Sequence, residues 1–123
     1  LAAFLFGGLW YGMFGQRWMA AVGKSEEQLK AAGRPMTVLF ALTIAAEFAV
    51  ALMLAGVLGH FGDVTLRGGL ITAALLWAGL VLPVHLVNYA YQGAPWSLAT
   101  IDGGHWLGVL LVQGAIIGWM GAA

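Results

Sequence analysis

The sequence predicts an all-α membrane protein, an antiparallel bundle of four transmembrane helices. Of its 123 residues, 62% are hydrophobic and only 8% are charged, whereas soluble domains carry about 25% charged residues. Four long apolar segments alternate with short polar ones, and about 20 apolar residues cross a hydrocarbon core of roughly 30 Å. A chain of this composition cannot cover a surface that faces water. We therefore expect one integral membrane domain.

The four predicted spans follow one another through short connections, which favours an up-and-down order. In the first, the apolar stretch before Gln16 and Arg17 is too short to cross, so we expect the helix to continue past them, to begin before Leu1, or both. In the third, Pro83 cannot donate a backbone hydrogen bond, which predicts a kink and a free carbonyl at Gly79. A loop is expected at residues 92–97. The predicted spans are residues 1–22, 37–58, 68–89 and 100–121.

A short helix on the membrane surface is predicted between the first two spans. Ser25 and Gln28 have the spacing of a capping box, in which each side chain bonds the other residue's backbone. Glu26 and Lys30 are four residues apart, so they form a pair on one helical face. The charged residues of this segment fit a linker that is exposed to water.

Small residues in the predicted spans indicate where helices approach closely. Gly8 and Gly12 lie one turn apart in the first span, and Gly114 and Gly118 have the same spacing in the fourth. Such small-xxx-small patterns let two backbones approach within a membrane. The glycines of the fourth span fit a dimer face and a contact with a neighbouring helix of the same chain equally well.

Basic residues predict the orientation of the chain. Cytoplasmic loops carry an excess of Lys and Arg, and four of the five basic residues flank the first loop. We therefore expect the first and third loops in the cytoplasm. The equal numbers of acidic and basic residues argue against nucleic acid as a partner. The basic residues that flank or lie in the first loop are Arg17, Lys24, Lys30 and Arg34, whereas the second loop has only Arg67.

Several short motifs together resemble a known family. These are LWYG at 9–12, FGxxWM at 14–19, SEE at 25–27, NY at 88–89 and IDxGH at 101–105. Their order and spacing resemble domain-of-unknown-function family 1761, a set of small bacterial multi-pass membrane proteins without an assigned activity. The likeness covers essentially the whole chain. It implies the topology described above, in a bacterial inner membrane, and nothing about mechanism.

Five polar residues inside the predicted spans form a candidate intramembrane site. An ionised side chain at the bilayer centre costs at least about 2.5–3.5 kcal/mol, so such residues face other helices and find partners there. Glu47 lies near mid-depth. His85 and His105 lie at matching depths on consecutive helices, about 6–8 Å from the cytoplasmic helix ends at 1.5 Å per residue, and could face each other. Asn88 and Asp102 lie nearer the surface.

Three interpretations of these residues remain open. The first, which we place foremost, is structural: the polar groups satisfy one another because lipid cannot. The second is a route for protons or a small solute through Asp102, His105, His85, Tyr11 and Glu47. In the third, His85 and His105 bind a haem or a metal.

The sequence thus favours a packing or oligomeric component of the membrane over an enzyme. Ser25 and Ser97 fall in loops, and neither has a His or an acid where a catalytic triad needs one. We expect no catalytic residue, no cofactor and no metal site. The expected partners are the lipid bilayer and either a second copy of the chain or a larger membrane complex, of which the chain would be an accessory subunit.

Overall fold

The computed structural model describes residues 1–122, and within them every regular element is helical. This confirms the predicted all-α bundle. The helices are α1 (Ala2–Val22), α2 (Glu26–Ala32), α3 (Met36–Phe61), α4 (Leu66–Leu76), α5 (Leu82–Tyr91) and α6 (Trp96–Ala122), and a π-helical turn (Trp77–Val81) joins α4 to α5.

Three helical segments are long and apolar enough to cross a membrane: α3, the continuous α4–α5 unit, and α6. Each contributes 26 residues to the crossing, or about 39 Å at 1.5 Å per residue. Helix α1 has 21 residues, a length of about 32 Å by the same rise, but a less apolar composition. It packs beside α6, so four long helical units form the bundle.

The predicted loop at 92–97 is shorter than expected, because α6 begins at Trp96 and not near Thr100. Pro95 precedes the first turn, where its missing N–H costs nothing. Its carbonyl accepts the N–H of Leu98 at 3.0 Å and so starts the helix. The connection between α5 and α6 is thereby reduced to residues 92–95.

Helix α6 lies at the centre of the bundle and contacts α1, α3, α4 and α5. It runs antiparallel to α4, and its core residue Leu110 packs with Leu54 and Leu58 of α3 and Ala73 of α4. Helix α6 also runs antiparallel to α1, because Tyr11 pairs with Asp102 near one end while Phe6 meets Gly108 further along. Every other long helix is therefore positioned by α6.

Glycines allow α4 and α6 to touch backbone to backbone. A Cβ atom on Gly69 would overlap the carbonyl oxygen of Gly114, and one on Gly114 would overlap that of Gly69. One turn further on, Gly118 rests against the backbone of Thr65. The glycines of the fourth span thus pack within this chain.

The predicted packing role of Gly8 and Gly12 needs correction, because a Cβ atom on either would meet nothing within 4 Å. Both glycines are exposed, and neither brings another helix of this chain into close contact. Close approach of α1 to α6 depends instead on Gly7, which faces His105, and on Gly104 and Gly108, which face aromatic rings of α1.

The short surface helix α2 has the predicted capping box. The backbone N–H of Ser25 donates to the side chain of Gln28 at 2.9 Å, and the Gln28 N–H donates to the Ser25 hydroxyl at 3.2 Å. Lys30 and Glu26 form the expected ion pair at 3.1 Å, with both side chains exposed.

The interruption predicted at Pro83 takes the form of the π-helical turn. Leu82 donates its N–H to the carbonyl of Trp77, five residues earlier, which widens the helix just before the proline. Such turns accommodate a residue that cannot join the regular hydrogen-bond ladder. Helices α4 and α5 therefore form one continuous helical segment that includes Pro83.

The glycine contact between α4 and α6 gives a first prediction. Gly114→Ala should destabilise the bundle by about 1–3 kcal/mol, because the added methyl group forces two backbones apart. Gly56→Ala is the matched control, since a Cβ atom there meets nothing within 4 Å. The midpoint of unfolding by SDS in mixed micelles measures both. Equal midpoints for the two variants would show that the contact does not hold the helices together.

Candidate functional site

Asp102 is the meeting point of three helices. Its two carboxylate oxygens accept hydrogen bonds from Tyr11 of α1 at 2.6 Å and from Tyr89 of α5 at 2.5 Å. Hydrogen bonds to a charged acceptor are about twice as strong as those between neutral groups. The carboxylate, half-buried beneath the end of the bundle, therefore has a hydroxyl partner for each oxygen.

Two tryptophans bind the backbone on either side of Asp102. The indole N–H of Trp10 donates to the carbonyl of Ile101 at 3.0 Å, and that of Trp77 donates to the carbonyl of Gly103 at 2.8 Å. A carbonyl oxygen has two lone pairs, so it can accept a side-chain donor beside its helical partner. The aromatic side chains of α1, the π-helical turn and α5 thus fix this part of α6.

His105 lies one turn deeper along α6 and is only 5% exposed. Its ring packs against Tyr11, at a centroid distance of 4.9 Å, and lies nearly parallel to Phe6 at 6.1 Å. Gly7 leaves the room for this ring, because a Cβ atom there would come within 2.9 Å of Nε2. The Nδ1 atom is buried and has no hydrogen-bond partner within the described residues.

Glu47 lies near the middle of α3 and is only 4% exposed. Its backbone carbonyl accepts the side-chain amide of Gln113 at 2.9 Å. The Glu47 carboxylate oxygen Oε1 and the Gln113 oxygen Oε1 are buried and unpartnered within the part of the chain that the structure describes. Burying an unpaired polar group costs free energy, and among the described ionisable residues Glu47 and His105 each keep one such atom.

Glu47 and His105 line one cavity of about 440 Å³, which we call the polar cavity. It lies between α1, α3 and α6. The rest of its wall is aromatic rings, two glycines and one threonine hydroxyl: Phe4, Gly7, Gly8, Tyr11, Phe40, Thr43 and Trp106.

A second cavity of about 440 Å³ begins on the other side of Glu47, and we call it the apolar cavity. Glu47 and Phe4 border both cavities. The other lining residues of the apolar cavity are hydrophobic except for Gln113. Glu47 therefore borders both a space that extends towards His105 and one whose wall lies nearer the opposite end of the bundle.

The structure brings together only part of the predicted polar site. His105, Asp102 and Glu47 share one region with Tyr11. His85 lies apart: its Nδ1 atom is 3.0 Å from the carbonyl of Val81 on its own helix, and it borders neither cavity.

His85 is linked to the site only indirectly, since its ring packs edge-on against Tyr89 at 5.6 Å. Asn88 is exposed, and within the described residues its side chain takes part in no hydrogen bond. Among those residues no group of three His, Asp or Glu side chains could hold a metal ion. The matching depth of the two histidines therefore did not bring their rings together.

Sequence reasoning missed the role of Tyr89 and of the two tryptophans that bind α6. Tyr89 lies three residues before the predicted loop at 92–97 and Asp102 five residues after it, so similar depth on antiparallel neighbours could have suggested the pair. No comparable signal pointed to Trp77, because its partner is a backbone carbonyl.

The fold and the site together define a small helical membrane protein with a polar interior between α1, α3 and α6. Residues 1–118 match the family described as Protein of unknown function (DUF1761), and the chain belongs to that family. Neither a curated protein nor a solved structure matches it.

The two tyrosines on Asp102 give a second prediction. Tyr11→Phe and Tyr89→Phe should each destabilise the bundle by about 1–2 kcal/mol. This value lies between the energy of a typical hydrogen bond within a membrane and that of a hydrogen bond to a charged group. The double variant should lose more than the sum, because the carboxylate is then left without a hydroxyl partner. The midpoint of SDS unfolding measures the stability lost in each variant. Tyr91→Phe is the control, because Tyr91 is 91% exposed. Strictly additive losses would count against a shared carboxylate.

Proposed function

We propose that this membrane protein carries protons, or a small solute with them, along a polar route centred on Glu47. One observation supports the proposal above all: Glu47, with a buried and unpartnered carboxylate oxygen, borders two cavities whose walls extend towards opposite ends of the bundle. Ionisable residues inside a membrane are costly, and they commonly mark ion pathways and proton relays. A purely structural role would be served better by a satisfied carboxylate, as at Asp102.

On the polar side, the route runs from Glu47 across the polar cavity to His105. From there the ring of Tyr11 leads to Asp102, which also binds Tyr89. Asp102 is the sixth residue after Trp96, so it lies about 9 Å along α6 at 1.5 Å per residue. Histidine exchanges protons near neutral pH, and this series of groups therefore connects the middle of the bundle with one membrane face.

On the other side, the apolar cavity offers only the Gln113 amide as a polar group. Water enters such a space reluctantly, since an internal water needs two to four polar partners. In the proposed cycle Glu47 therefore exchanges its proton readily through the polar cavity, and only when hydrated through the apolar one. This asymmetry makes proton passage through the apolar cavity the slow step of the route.

The proposal assigns transport and no chemical reaction, and it needs neither a cofactor nor nucleic acid. The Ser25 hydroxyl is already engaged in capping α2. A haem held by both His85 and His105 receives no support, because His85 borders neither cavity.

The proposal places the protein in a bacterial inner membrane, with the first and third loops in the cytoplasm. The polar route then opens towards the cytoplasm, since Asp102 lies near those loops. The concentration of basic residues around the first loop supports this orientation.

A role as an oligomer or as a subunit of a larger complex is a second candidate. Its support is the apolar surface of α3, which is exposed on most sides at residues such as Phe40, Phe48 and Leu52. Lipid alone accounts for such a surface in a membrane. Native mass spectrometry in mild detergent separates the possibilities: one chain, several copies, or a defined heteromeric assembly.

Proton movement through Glu47 gives a third prediction. In proteoliposomes carrying an internal pH dye and a potassium diffusion potential, the protein should acidify or alkalinise the lumen according to the sign of the potential. Glu47→Gln should reduce this flux to the level of empty liposomes, because the amide cannot exchange a proton. Glu27→Gln, on the exposed face of α2, should leave it unchanged. Full flux in the Glu47 variant would remove that carboxylate from the route.

Orientation gives a fourth prediction, and the absence of Cys from the sequence makes it simple to test. Asp63→Cys, in the second loop, should react with a membrane-impermeant maleimide added to intact spheroplasts. Lys24→Cys, in the first loop, should react only after the membrane is permeabilised. The opposite labelling pattern would invert the topology and place the polar route on the outer side.

A further inference from the structure

We propose that the polar cavity binds a small organic cation with an apolar, preferably aromatic body, for which the Glu47 carboxylate supplies the opposite charge. This proposal rests on the proposed function, in that Glu47 is the group whose proton is exchanged. It adds the class of solute that the same cavity accepts.

Charge is the first argument. The described lining of the polar cavity includes no Lys or Arg, and its titratable groups are Glu47 of α3, Tyr11 of α1 and His105 of α6. An anion would meet the carboxylate without any fixed positive charge to offset it. A neutral solute would leave an ionised Glu47 unpaired in a medium of low dielectric constant. A cation neutralises the carboxylate and supplies the partner that Oε1 lacks.

The aromatic wall is the second argument. Phe4, Tyr11, Phe40 and Trp106 contribute rings to the cavity. The face of an aromatic ring attracts a cation within about 6 Å of its centroid, and the same rings form an apolar surface for the rest of the ligand. A volume of about 440 Å³ lies within the range of cavities that hold small organic ligands, about 300–1,000 Å³.

The donor atoms argue against a bare metal ion. Calcium and magnesium need about six or more oxygen ligands, while the oxygen donors of the cavity wall come mainly from Glu47, Thr43 and Tyr11. No group of three metal-binding side chains exists among the described residues. An organic cation makes no such demand, because its charge is spread and its body is held by the rings.

Access is the third argument. Gly8 of α1 and Phe40 of α3 are exposed while they also line the cavity, so the cavity opens on the outer surface between these helices. Gly8 has no side chain to cover the opening, and the edge contact between Phe4 and Phe40, at a centroid distance of 5.6 Å, bounds it. That surface faces lipid in a single chain. A lipophilic cation dissolved in the membrane could therefore enter from the side.

Protons and the cation compete for the same carboxylate. A protonated Glu47 is neutral and loses its attraction for the cation, so affinity rises with pH. A protonated His105 would repel the cation, so the loss of that proton as the pH rises also increases the affinity for the cation. Tyr11 is neutral at these pH values and does not oppose the trend. One proton released for each cation bound balances the charge.

The experiment uses tetraphenylphosphonium as the probe and the full chain in lipid nanodiscs, with empty nanodiscs subtracted. Equilibrium dialysis of the labelled cation should show saturable binding that strengthens from pH 6 to pH 8. Tetraphenylborate, which has the same shape and the opposite charge, should show no saturable binding. Absence of saturable phosphonium binding, or equal binding of both ions, would overturn the proposal.

Two pairs of variants test the assigned residues. Glu47→Gln should weaken phosphonium binding at pH 8 at least about tenfold, since it removes a charge in a site of low dielectric constant, while Glu27→Gln should not change it. Phe40→Leu should weaken binding several-fold through loss of a ring, and Phe61→Leu, at an exposed position away from both cavities, should not. The second pair keeps the test decisive if the Glu47 variant fails to fold. Unchanged affinity in the Phe40 and Glu47 variants would contradict the proposed site.

The two proposals can fail separately. Proton flux that depends on Glu47, without binding of the cation, would retain the proton route and reject the organic solute. Cation binding that depends on Glu47, without proton flux, would retain the site and reject transport.

Discussion

The cost of removing a carboxylate from water governs the interior of this protein. Two acidic residues lie within the bundle, and they meet that cost in different ways. Asp102 receives a tyrosine hydroxyl on each oxygen, so three helices are joined where its charge is held. Glu47 receives no such partner on Oε1 and borders open space on two sides. The carboxylate of Asp102 thus joins three helices, whereas that of Glu47 keeps a buried oxygen without a partner among the described residues.

Features of the fold that depend on neighbouring residues could be predicted from the sequence. The spans followed from hydropathy, because a run of apolar residues has few alternatives in a bilayer. The capping box of α2 followed equally well, since Ser25 and Gln28 interact within one turn. Both predictions depend on local patterns, and local patterns are visible in a sequence.

Contacts between helices were harder to predict, because they depend on how each helix is rotated about its axis. The spacing of Gly8 and Gly12 resembled that of Gly114 and Gly118, yet only the latter pair faces another helix. Likewise, equal depth suggested that His85 would face His105, but it is Tyr89 of α5 that reaches the site, through its hydrogen bond to Asp102. Depth can be counted from a sequence, whereas the rotation of α5 is set by its π-helical turn and its packing.

Helix α3 has two unlike halves that meet at Glu47. Beyond Glu47, Leu54 and Leu58 are almost completely buried in the core with α4 and α6. Before it, residues 36–46 include no buried side chain, and Gln113 holds the backbone at the junction. The first half of α3 is therefore the half whose displacement would break fewer buried contacts. A displacement that began at the first loop would reach the wall of the polar cavity, at Phe40 and Thr43, before it reached the core.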